Sequence, residues 1–169
     1  MIVIHVLAAA LLVGPQLLLW IAVVPSTWII QNEALRRDVT RVITARYGMI
    51  AGVSLIGILI TGFYLLFVTT PAPIREHMNE YNFGPTFSVK MLVFITFLGL
   101  LVYHVFSVAR RISRLTDAAI EAGPDADTSA LDSQRRVSFV VSFFMLLASI
   151  AVLVLGAMLG HHDFSYVKQ

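Results

Sequence analysis

IVIHVLAAALLVGPQLLLWIAVV, residues 2–24, decides the fold. It carries no charged residue and is longer than the roughly 20 residues an α-helix needs to cross a bilayer. No basic segment precedes it, and its apolar run exceeds the h-region of a signal peptide. A retained membrane span is therefore expected. Three further uncharged or nearly uncharged stretches, 47–68, 88–107 and 137–159, are long enough to do the same. Turn signals bound them: Pro25-Ser26-Thr27, Thr70-Pro71-Ala72-Pro73, Phe83-Gly84-Pro85 and Gly160-His161-His162-Asp163.

Composition agrees with this count. Of the 169 residues, 58% are apolar and 13% charged, and the mean hydropathy is +0.84. The expected fold class is all-α, a four-helix transmembrane bundle forming one integral membrane domain over residues 1–169. Cysteine is absent, which excludes disulfides, thiolate-held clusters, thioether-attached haem and a cysteine nucleophile. The net charge is only +2, and the basic residues lie beside the spans, which argues against a nucleic-acid partner and for the lipid bilayer.

Orientation follows from Arg and Lys. Arg36, Arg37, Arg41 and Arg46 precede the second span; Arg110, Arg111, Arg114, Arg135 and Arg136 separate the third from the fourth. Both basic loops are expected on the cytoplasmic side and both termini on the outer side. Glu33 to Ala45 reads as a helix leading into the second span. The third helix is expected to run to Ala122 and stop at Gly123-Pro124, with Asp125 to Ser133 as a polar linker.

Two ionisable residues stand inside the apolar sequence near the outer boundary. His5 is about four residues into the first span and Lys90 about three into the third, so both lie ~5 Å below the surface. Ionisable groups inside a membrane usually face the bundle interior, a cavity or a ligand. A His and a neutral Lys on different helices at one depth suit the two axial positions of a haem iron. The alternative for Lys90 is to snorkel to the interface, and for His5 a plain interfacial role. His104 follows Lys90 on nearly the same face but ~21 Å deeper, so it serves neither partner. Met49 and Met145 are the weak candidates to join it; a neighbouring side chain, a haem edge or a quinone headgroup are the others.

Ala8, Ala9 and Leu12 continue the His5 face, and Phe94, Phe97 and Leu101 the Lys90 face. Gly48 to Gly52 and Gly156 to Gly160 fit GxxxG, and Ser142, Ser149 and Gly156 form a stripe; close helix contacts in the bundle or a homo-oligomer are expected. Pro15 should kink the first span and free the carbonyl near Leu11. His77, Met78, Met91, His161, His162 and Asp163 gather on the outer side, where imidazole and thioether would suit copper.

The order of these features resembles the HemJ/CopD-like integral membrane proteins. The resemblance rests on His5, an Arg36-Arg37 lead into a second span ending Thr61-Gly62-Phe63-Tyr64-Leu65-Leu66, Val89-Lys90-Met91-Leu92 opening the third, and Tyr103-His104 near its end. HemJ proteins are bacterial protoporphyrinogen oxidases that bind haem b through a His and a Lys; CopD-like domains are linked with copper handling. The resemblance implies that His5 and Lys90 are the haem-iron ligands, that His104 is a further cofactor-side histidine, and that the protein belongs to the bacterial inner membrane with a quinone or porphyrin as partner. The later first span departs from HemJ, reading Gly14-Pro15-Gln16-Leu17-Leu18-Leu19-Trp20 with no Arg before Arg36. That departure bears on oxidase chemistry more than on the scaffold. Copper binding or transport, and a non-catalytic accessory subunit of a larger membrane complex, are the alternatives that the residues leave open.

Overall fold

The computed structural model describes residues 1–123 and 126–168. Four long helices carry the chain: α1, Ile2–Thr27; α2, Glu33–Thr69; α3, Phe83–Ala122; and α4, Ser129–Gly160. Each contains a stretch apolar and long enough to cross a membrane. All four extend beyond the expected spans. At α4 the polar segment Ser129 to Ser133, expected as linker, is helical. The Asp127 carboxylate accepts from the Ser129 N–H at 2.9 Å, and Asp132 pairs with Arg135 one turn on at 3.1 Å, so the local polar groups support a helix start. The lead from Glu33 is continuous with α2, its Asn32 side chain accepting from the Leu35 N–H at 3.0 Å. α3 stops at Ala122 because Gly123 takes φ +88°, a left-handed value that glycine tolerates. Pro124 and Asp125 lie outside the described residues.

α1 packs against α2 and α4, and α3 packs along α4. The α2–α3 side closes through Arg110–Ala122, the extension of α3 at the arginine-rich end. The ring order is therefore α2, α1, α4, α3, with α1 diagonal to α3. Leu12, Ala51, Phe97 and Met145, one from each helix, form the mid-membrane core, and Phe97 is only 2% exposed. Most other large apolar side chains face outward, as lipid-facing surface requires. One polar contact crosses the core: the Ser149 hydroxyl of α4 lies 3.1 Å from the buried Gln16 Oε1 of α1.

Three helical stretches widen to π geometry: Leu19–Val23, Leu65–Thr69 and His104–Ala109. The first follows Pro15, which lies inside the helix Ile2–Leu18. At the termini end a short helix, Ala72–Glu76, and the tail helix, His162–Ser165, form a cap. Asn82 bonds the Phe164 and Val167 carbonyls, and Tyr81 bridges to Lys168.

Ion pairs tie the arginine-rich end. Arg135 reaches Glu33 with two guanidinium nitrogens, at 2.6 and 3.1 Å, joining α4 to α2. Arg37 reaches Asp117 at 2.9 Å, joining α2 to α3.

Candidate functional site

His5 sits one turn into α1, its backbone N–H donating to the Met1 carbonyl. Its ring turns toward α2, where Nδ1 lies 2.7 Å from the Thr61 hydroxyl. Thr61 is 4% exposed and lies 2.5 Å from the Gly57 carbonyl, to which its hydroxyl donates. With that proton committed, the hydroxyl accepts from His5 Nδ1–H. In that arrangement Nδ1 carries the proton and Nε2 the lone pair of a neutral ring.

Two glycines of α2 border this contact, with room for a methyl at ordinary van der Waals distance. A Cβ on Gly62 would stand 3.4 Å from His5 Cε1, and one on Gly57 3.5 Å from the Ala8 Cβ. Sequence reasoning missed both Thr61 as a partner and Gly57 altogether. The available signal was the i, i+4, i+5 spacing of Gly57, Thr61 and Gly62 on one helical face.

Lys90 leaves α3 and reaches α4 at Gly156. Its Nζ lies 3.5 Å from where a Cβ on Gly156 would be. No carboxylate pairs with it among the described residues. His5 and Lys90 are near enough to act on each other electrostatically. They stand on diagonal helices; adjacent axes 8–10 Å apart put diagonal axes about 11–14 Å apart. Ala8, Leu12, Phe94 and Phe97 beneath them are buried.

His104 lies on a lower level, at the first residue of a π stretch, with its Nδ1 buried and unpartnered. Trp20 occupies the matching level of α1. Its ring stacks on Phe139 at 5.0 Å and its Nε1 is likewise buried without a partner. Met49 is 59% exposed and faces away, while Met145 belongs to the mid-membrane core.

The outer histidines are dispersed. His77 pairs with Glu80 at 3.4 Å, and Glu80 also meets Lys168 at 3.3 Å. His162 stacks on Tyr166 at 4.5 Å. Among the described residues no group of three or more His, Cys, Asp and Glu side chains is arranged to hold a metal ion. At the first GxxxG nothing among the described residues lies within 4 Å of a Cβ built on Gly48 or Gly52, so of the two settings expected for a close contact this pair does not take the one inside the bundle. Of the second, Gly156 receives Lys90, and Gly160 is open.

These elements define a four-span, all-helical integral membrane protein with a polar pair held across its termini end. The chain belongs to the family described as predicted integral membrane protein (DUF2269), whose model matches residues 1–159. No match is found among curated proteins or among solved structures.

Proposed function

We propose that this protein is a haem b-binding membrane redox protein in which His5 and Lys90 supply the axial ligands. The observation that carries the reading is the His5–Thr61 hydrogen bond. It orients the imidazole and leaves one ring nitrogen free, the arrangement found behind metal-bound histidines. Lys90 adds an amine with no carboxylate partner among the described residues, on the diagonal helix and at the same depth.

The donor set fits the group. Imidazole suits iron, and Phe94, Phe97, Ala8 and Leu12 offer a buried apolar floor for a flat macrocycle. Haem would supply one-electron chemistry at a potential set by ligation and burial. The chain's own residues do the rest. Thr61 orders His5, Gly62 and Gly156 lie against the two side chains, and the apolar floor excludes water. On the arginine-based orientation this layer lies toward the outer face of a bacterial inner membrane. The resemblance to HemJ/CopD-like proteins favours the same ligand pair, and protoporphyrinogen oxidation is the specific activity it suggests.

The test is the optical spectrum of the purified protein expressed with ample haem supply. A Soret band, with α and β bands on reduction, is expected; a colourless preparation refutes the reading. His5→Ala should remove the haem, and Lys90→Met should shift the spectrum.

A second reading draws on Gly48 and Gly52, whose smooth outward face suits another membrane helix. In an accessory or homo-oligomeric role Gly52→Leu would break co-purification while sparing the fold.

A further inference from the structure

The basic residues at the end away from the termini are all arginine; the two lysines, Lys90 and Lys168, belong to the opposite half. They divide by depth and by pairing. Arg36, Arg37 and Arg135 are committed to Glu33, Asp38, Asp117 and Asp132. Arg41, Arg46, Arg110, Arg111, Arg114 and Arg136 are exposed and have no ion pair among the described residues.

Arg41, Arg110 and Arg136 share one level. Each lies the same number of residues along its helix from Thr61, Lys90 or Gly156, the three positions that meet His5 or each other at the upper layer. That spacing is about 30 Å at 1.5 Å per residue. The upper layer sits ~5 Å inside a hydrocarbon core ~30 Å thick, so the three arginines emerge ~5 Å beyond the opposite boundary, at headgroup depth. The carboxylates on these helices, Glu33, Asp38, Asp117, Glu121 and Asp132, all lie farther out along the chain than this level. Arg110 is held at the boundary by its guanidinium over the lipid-exposed Phe106 ring, 4.8 Å from the centroid. The result is an unneutralised guanidinium belt at phosphate depth, alongside an ion-paired collar around Glu33 and Asp117 that ties the helices.

We propose that this belt binds anionic phospholipid, with the phosphodiester as the recognised group. A guanidinium presents a planar fork that matches phosphate oxygens, which an ammonium lacks. Charge complementarity and depth both single out the lipid headgroup, and the proposal is independent of haem.

The test uses the full chain in nanodiscs of phosphatidylcholine mixed with phosphatidylglycerol, with retained lipid read by native mass spectrometry. Selective retention of phosphatidylglycerol is expected. Each of Arg41→Gln, Arg110→Gln and Arg136→Gln should weaken it about fivefold, and the triple variant about a hundredfold. Arg37→Gln, in the ion-paired collar, should leave it unchanged. A triple Arg→Lys variant preserves charge and insertion, and is expected to retain less phosphatidylglycerol than the wild type. Equal retention of the two lipids, wild-type retention by either triple variant, or displacement of the lipid by millimolar inorganic phosphate would each overturn the proposal.

Discussion

The Thr61 hydroxyl accepts from His5 Nδ1 at 2.7 Å while donating to the Gly57 carbonyl. One side chain thus fixes the ring of another across the α1–α2 interface. Thr61→Val keeps the volume and removes the acceptor. It should cost about 0.6–1.7 kcal/mol, the range for polar contacts between membrane helices. Thermal melting in detergent checks the cost, and in haem-loaded protein a displaced reduction potential would report the loosened ring.

Lys90 rests on the bare backbone of Gly156. An added methyl meets Nζ at ordinary contact distance, so Gly156→Ala should be tolerated. Gly156→Leu fills the space and should push the amine toward the interface. Reactivity of Lys90 with a water-soluble acylating reagent measures this: low in the wild type and Gly156→Ala, high in Gly156→Leu.

The Arg135–Glu33 pair is bidentate and only partly exposed, at 17% and 22% of side-chain surface. Its loss removes charge-assisted bonds from the junction of α2 and α4. Arg135→Ala should destabilise the protein by about 1.5–3 kcal/mol. A double-mutant cycle with Glu33→Gln should give a clearly favourable coupling, while a value near zero would reduce the pair to a solvated contact.

At the start of α4, bonding to the Ser129 backbone and hydroxyl holds the Asp127 carboxyl below its ordinary value of 3.8. A depressed carboxylate stabilises the folded form above 3.8, and that contribution is lost as the pH falls through the lower folded value. The Ser129 amide resonance should therefore titrate with a midpoint below 3.8 and lose the transition in Asp127→Ala.

Much of this was legible in the chain. Residues 2–24 announced a span because hydrocarbon admits few alternatives to an apolar helix. The apolar setting of His5 and Lys90 could be read from the spans around them. The partners did not follow: Thr61 is an ordinary threonine until α2 is laid beside α1, and Gly156 an ordinary small residue until Lys90 reaches it. Local sequence encodes depth and face, whereas the identity of the facing helix is set by packing. The same reason explains Gly48 and Gly52, whose motif gives a smooth surface without saying which way it looks. The helix starting at Ser129 was missed because its polar residues resemble a linker until Asp127 is seen to accept from the Ser129 N–H.

The ring order has a consequence for how the chain enters the bilayer. α1 and α2 are one hairpin, and within it His5 already meets Thr61; α3 and α4 are the other, and within it Lys90 already meets Gly156. Each half thus shelters its own awkward side chain before the halves join. The protein is divisible at the connection between α2 and α3, residues 70–82, and two separately translated halves should insert on their own and reassemble by lateral encounter.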